Sequence, residues 1–283
     1  MRRLPLLSLV ALLAIAASAT ARSDRTQQIQ LSTAESAPEL RWRPMPEVLD
    51  KAFSATLMTT DVTTNIRRGI KTCEDYITTH PDDTQGRANA YVIMAQAYFN
   101  LGEYSAPYDE KIKDYTAGEG AAQHVIDLVP GTWAGWAWYA INLGRISQMK
   151  GVLKSLFLLG PFRRHVFRAE KLAPNSAFVL DAIGIMYRQV PWIAGGDIGK
   201  SEKYLEKSVE VDPGYTLGEL DLAITLLEEG KDDRAQTMLL HVINAREPSW
   251  KAHWQIWERP KAEALSKDMG GYKKLLDEWH MLR

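Results

Sequence analysis

The feature that most restricts this chain is a recurring ending. "KSEKYLEKSVEVDP" (200–213), "RRHVFRAEKLAP" (163–174) and "AAQHVIDLVP" (121–130) each carry an apolar stripe to a proline, and "IKTCEDYITTHP" (70–81) echoes them more weakly. A small residue, Ser208 or Ala169, stands five before the proline in the first two, and Val125 takes that place in the third. Each proline is followed by a stretch with apolar residues three and four apart, the spacing of one helix face. Proline offers no N–H and restricts the residue before it, so it closes one helix and lets the next begin. Such a chain is a series of helices in which one pair cannot bury its face alone, but stacked pairs can.

Aligned on those prolines, the intervals resemble the tetratricopeptide repeat, a helix–turn–helix unit of about 34 residues. After Pro174, Leu180, Ile183, Gly184 and Tyr187 meet its large, leucine, small and aromatic positions. After Pro213, Leu222, Ala223, Gly230, Ala235 and Leu239 do the same without a gap, as do Trp136, Tyr139 and Ala140 after Pro130. Met94, Ala95, Tyr98 and Gly102 mark the first clear unit. Small positions let two helices cross closely, and the large ones fill the spaces between neighbours. The expected fold is an all-α tetratricopeptide-like helical solenoid of about four helix pairs over residues 45–248. Residues 249–283, where Trp250, Trp254 and Trp257 recur at helical spacing, read as a capping helical segment broken at Arg259-Pro260 and at Gly270-Gly271.

That register also disposes of a nucleotide site. "AGGDIGKS" (194–201) fits a loose phosphate-loop pattern, but such a loop needs a strand before it. Here a helix ending near Gln189 precedes it, Asp197 is placed to cap the next helix, Ser201 takes a small packing position, and "PWIAGG" widens the turn. The six histidines are scattered, and no paired cysteine, nucleophile elbow or calcium loop is present. The sequence calls for no cofactor, no metal and no catalytic residue. Cys73 is the single cysteine and reads as a buried helix residue.

The N-terminus, "MRRLPLLSLVALLAIAASATARS", has two arginines, a short apolar run and an Ala19-Thr20-Ala21 end. These are the parts of a secretory signal peptide over residues 1–21, so the protein is expected in the periplasm. Residues 22–44 are polar and without period, a mobile lead-in. Removing Arg2 and Arg3 leaves 32 basic against 35 acidic residues, a mature charge of about −3. A near-neutral surface lacks the positive footprint that nucleic acid requires.

In a solenoid of this kind the first helix of each pair lines the concave face. Of the twenty lining positions, eleven are apolar. The residues expected to form a ligand-binding groove are Val92, Gln96 and Phe99, then Ala137, Ile141 and Arg145, then Phe178, Ile185 and Arg188, then Leu220 and Ile224. Two readings of that apolar face stand side by side. Either the C-terminal helices cover it, or it holds an apolar ligand with Arg145 and Arg188 as polar anchors. Asp181, Glu228, Arg145 and Arg188 read as rim polarity, not as a catalytic set.

Beyond the plain repeat, "NLGR…GVLKSLFLLGP" and "PWIAGGD…KSEKYLEKS" resemble the T-component (TatT-like) family of tripartite ATP-independent periplasmic (TRAP) transporters, over roughly residues 60–245. The resemblance implies a non-enzymatic periplasmic repeat protein with an apolar-lined channel. It also implies a substrate-binding protein as partner, a hydrophobic small molecule as guest and a homo-oligomer in some members. Family members can be lipoproteins, whereas this chain has a plain cleavable signal. The alternative is a generic periplasmic scaffold that docks envelope proteins.

Overall fold

The computed structural model describes residues 46–57, 62–104, 107–150 and 152–280. The expected signal (1–21) and lead-in (22–44) lie outside the described residues. The described residues form helices joined by short turns and contain no β-strand. Helices α1 (Glu47–Leu57) and α2 (Val62–Thr79) form a leading hairpin, ahead of the four expected pairs. Those pairs are α3 (Thr84–Tyr104) with α4 (Tyr108–Leu128), α5 (Trp133–Met149) with α6 (Val152–Leu172), α7 (Ala177–Gln189) with α8 (Ile198–Val211), and α9 (Thr216–Glu228) with α10 (Asp232–Asn244).

Local chemistry sets the helix starts. Thr132, Ser176 and Asp197 are extended residues whose side chains accept a backbone N–H from the first turn of α5, α7 and α8. Each satisfies one of the donors that a helix N-terminus leaves open. At Asp197 the acceptor lies 3.0 Å from Lys200 N, so the lysine of the phosphate-loop lookalike sits in an ordinary helical turn. Between α7 and α8 a single 3-10 turn, Trp192–Ala194, occupies the inserted "PWIAGG".

Close crossing follows from the small positions. A Cβ added to Gly184 would stand 2.6 Å from Leu205 Cγ, so α7 and α8 approach to a distance only glycine permits there. Asn142 is fully buried on α5 and donates Nδ2–H to Trp138 O (2.9 Å) and to Ala95 O (3.3 Å), tying α5 to α3. Ser208 on α8 donates to Ala177 O at 2.8 Å. The α5–α7 joint is built differently: it is filled by aromatic rings, with the Phe178 centroid 6.2 Å from that of Trp133 and 5.0 Å from that of Trp138. Cys73 is buried on α2.

The C-terminal segment departs from expectation. Lys251–His253 passes into a π-helical turn, Trp254–Glu258, and straight on into α11 (Arg259–Lys267), so Arg259-Pro260 is not a break. The Arg259 N–H bonds Trp254 O, five residues back, and this wider turn accommodates the donor that Pro260 lacks. The chain turns instead at Asp268, and Gly270-Gly271 belong to the first turn of α12 (Met269–His280). Asp268 caps that helix, accepting from Gly271 N at 2.7 Å.

Candidate functional site

The concave residues named from the sequence come from four parallel first helices. Val92, Gln96 and Phe99 lie on α3, and Ala137, Ile141 and Arg145 on α5; Phe178, Ile185 and Arg188 lie on α7, and Leu220 and Ile224 on α9. Most are buried: Val92, Gln96, Phe99, Ala137, Phe178, Leu220 and Ile224 are each less than a tenth exposed. Ile141, Ile185 and Arg145 keep partial exposure. A solvated groove does not bury its lining in this way.

The C-terminal segment supplies part of that burial, at Leu220 and Ile224. Trp254 packs into a cluster with Leu220, Ala223 and Ile224 of α9 and Leu239 and Val242 of α10. Its indole donates to Val242 O at 2.6 Å. Trp257 reaches back across the solenoid to Tyr104 at the end of α3, with ring centroids 5.8 Å apart. Glu258 is 1% exposed; it accepts from the Thr216 hydroxyl at the start of α9 and contacts His253 Nδ1 at 2.5 Å. Thus the first and last pairs are bridged over the concave face.

Under this bridge runs a row of charge that the lining list only partly contained. Arg145 Nε meets Glu103 at 2.8 Å, with the guanidinium over the Phe99 ring, and Tyr115 OH donates to the same carboxylate at 2.7 Å. Further along, Arg188 Nη2 meets Asp221 at 2.8 Å with both side chains about nine-tenths buried. Tyr215 OH donates to Asp181 Oδ2 at 3.3 Å. Burial, with Asp221 beside it, pushes the Asp181 carboxyl well above the ordinary carboxylate range, against the pull of Arg188 and Tyr215. Lys261 of α11 enters the same field: burial lowers its pKa, and Asp221, Arg188, Arg145 and Glu103 all act on it.

Several polar atoms here have no protein partner. Both amide atoms of Gln96, Nε and Nη1 of Arg188, and Oδ1 of Asp181 are buried without a hydrogen bond. An unmet buried donor or acceptor costs about 1–3 kcal/mol, so each of these atoms favours a polar partner, water included. A second feature, a cleft of about 350 Å³, lies where α9 begins and α10 ends. Thr216, Glu219, His241, Asn244 and Arg246 are among its lining residues. Burial and the nearby Glu258 push Glu219 up to about 7, although His241 stands 3.5 Å away and works in the opposite sense. Among the described residues, no group of three or more histidine, cysteine and acidic side chains converges as a metal site would require.

Sequence reasoning did not include Asp221, Lys261 or Glu219. Asp221 sits one residue round from Leu220 and turns inward to meet Arg188. Lys261 belongs to the non-repeating segment, where periodicity assigns no face.

Hairpins of two helices stacked in sequence, with small residues at their crossings and prolines at their ends, define a tetratricopeptide-like helical-repeat protein. A family profile described as regulator of microtubule dynamics protein 1-3 (RMD1-3) matches residues 58–190. No curated protein is similar enough to this sequence to stand as a relative. Among solved structures, the chain is similar to TTC0263, a thermophilic tetratricopeptide repeat protein of Thermus thermophilus. The TM-score is 0.53 at 14% identity, over 71% of this chain and 91% of that one. It is more loosely similar to the human IFIT1 dimer with PPP-AAAA, with a TM-score of 0.43 at 14% identity over 74% of this chain and 52% of that one. At 14% identity the likeness to TTC0263 speaks for the fold alone.

Proposed function

We propose that this protein works by binding: it is exported, and it holds an apolar or amphipathic small molecule against the inner face of its solenoid, beneath the C-terminal bridge. The observation that carries this reading is an apolar, mostly buried inner face that includes buried polar atoms of Gln96 on α3 and of Arg188 on α7 without protein partners. Apolar pockets with a few convergent polar groups are the usual form of small-molecule sites. An amphipathic guest would set its polar end against Arg188 and its apolar part along Ile141 and Ile185.

The proposed setting is the periplasm, as an accessory of the TRAP T-component (TatT-like) kind that works beside a substrate-binding protein. Its support is the export signal and the family resemblance of "NLGR…GVLKSLFLLGP" and "PWIAGGD…KSEKYLEKS". The RMD1-3 match ends at Val190, so it covers α2, the first two pairs and the first helix of the third, and stops ahead of Asp221 and Lys261. The alternative, a scaffold that docks envelope proteins, is favoured by the same repeat architecture.

Organic extraction and native mass measurement of protein purified from its exported location test the guest. Ile141 and Ile185 keep partial exposure and so tolerate polarity better than their buried neighbours. The double substitution I141E/I185E is expected to empty the site with helicity largely retained. A folded double variant that still carries the guest overturns the assigned lining. Crosslinking to a protein through the concave face, with no small molecule released, favours the scaffold.

A further inference from the structure

The inserted turn between α7 and α8 presents two large apolar side chains to water: Trp192 is 84% exposed and Ile193 74%. This is a rigid presentation. Within the turn, Ala194 and Gly196 N–H both bond Pro191 O (2.9 and 3.0 Å), and Asp197 N–H bonds Tyr187 O at 2.9 Å. From the neighbouring pair, Arg163 of α6 donates Nη2–H to Ala194 O at 2.9 Å and to Gly195 O at 3.3 Å. Gly195 has φ 90°, a left-handed backbone, and a Cβ on Gly196 would stand 1.7 Å from Val190 O, so the turn is committed to this shape. Packing an aromatic and an isoleucine outward on so fixed a support gains the monomer nothing.

A second exposed apolar group lies on α6, the helix whose Arg163 holds the turn. On α6, Phe157 is 84% exposed and sits about 9 Å along the axis from Arg163 and about 120° round it. The outer face of the helix continues from Phe157 through Arg164, Arg168 and Lys171, all exposed. Between Lys150 and Lys203 the sequence holds nine lysines and arginines against four acids, in a chain of net charge −1. Leaving out the buried Arg188 and Asp181 keeps that surplus unchanged.

We propose that this edge docks on an anionic lipid bilayer, with Trp192, Ile193 and Phe157 entering the headgroup boundary and the α6 arginines facing the lipid charge. Tryptophan favours that boundary because its ring is apolar at one end and carries a donor at the other. Stable membrane attachment takes two signals, an inserted apolar group and a basic patch, and both occur on α6 and the turn that Arg163 ties to it. The basic surplus selects a lipid surface over a neutral protein groove. This surface is separate from the concave face, and the docking stands or falls independently of the guest.

The full chain carrying Ile193→Cys, labelled with an environment-sensitive fluorophore, reads the docking directly, because Cys73 is buried and does not compete for label. With vesicles of phosphatidylcholine and phosphatidylglycerol, the label is expected to shift to the blue, less so at high salt. With phosphatidylcholine alone it should stay in water. A label at Leu240→Cys, exposed on α10, should stay in water on both. Adding W192S and F157S, with helicity checked by circular dichroism, should weaken partitioning to the anionic vesicles about tenfold or more. The proposal is overturned by a label that stays in water on both vesicles, or by equal shifts on both. It is overturned also by a shift that grows with protein concentration without lipid, which assigns the edge to a second copy.

Discussion

Arg188 and Asp221 form an ion pair at 2.8 Å across the α7–α9 interface, with side-chain exposures of only 7% and 10%. Two charges held this far from water depend on each other: each compensates for the hydration its partner has lost. The pair therefore joins the third and fourth hairpins on the side that faces the C-terminal bridge, and it leaves Nε and Nη1 of the arginine open.

Removing one partner strands the other. Asp221→Ala is expected to destabilise the fold by about 3–5 kcal/mol in urea unfolding, whereas the paired change R188M/D221L should cost far less. Equal losses in the single and double variants would show that the charges do not act as a unit.

The crossing of α7 and α8 depends on the absence of a side chain at Gly184. Gly184→Val forces Leu205 out of its place and should cost about 1–3 kcal/mol, the usual penalty of overpacking. Leu205→Ala in the same chain should recover part of that loss, read from the shift in Tm.

Glu219 makes stability depend on pH in a direction opposite to the common carboxylate. Its folded pKa is raised from 4.5 to about 7, chiefly by burial, so the folded state binds more protons than the unfolded chain between those values. Stability is then greatest below pH 4.5 as far as this group is concerned, and it falls as pH rises towards about 7. Glu219→Gln should flatten that part of a Tm-versus-pH curve. Asp181, raised in the same sense, keeps a residual slope of the same sign.

Cys73 should be silent in the folded protein. Burial raises its thiol to about 12, so at neutral pH almost no thiolate exists to react. An aromatic disulfide reagent is expected to titrate one thiol in denaturant and none in native buffer. Reaction without denaturant, at the rate of a free thiol, would show that α2 opens on its own.

What could be read from the sequence was the part of the fold that repeats. Gly184, Ala223 and Ala140 occupy crossings whose size requirement recurs in each hairpin, so their spacing betrays the packing before any coordinates do. The inner face was assigned from the lining positions of the repeat on α3, α5, α7 and α9, and most of the residues so named are buried. The bridge above that face was not legible. Trp254 and Trp257 show helical spacing, but their partners, Ile224 and Tyr104, are fixed by how far the solenoid curves. Pro260 reads locally as a stop, and only the π-helical turn before it lets the helix continue. Asp221 escaped notice because its inward aim is set by Arg188 on another hairpin, not by its own neighbours.

The Tyr104–Trp257 contact has a mechanical consequence. An open stack of hairpins behaves as a spring, able to stretch or tighten by small rotations at each joint. Here the C-terminal segment is clasped to the end of α3, so the pitch of the four pairs is held while the clasp lasts, and the aromatic-filled joint between α5 and α7 flexes only with it. Any change of curvature must begin by unfastening the tail.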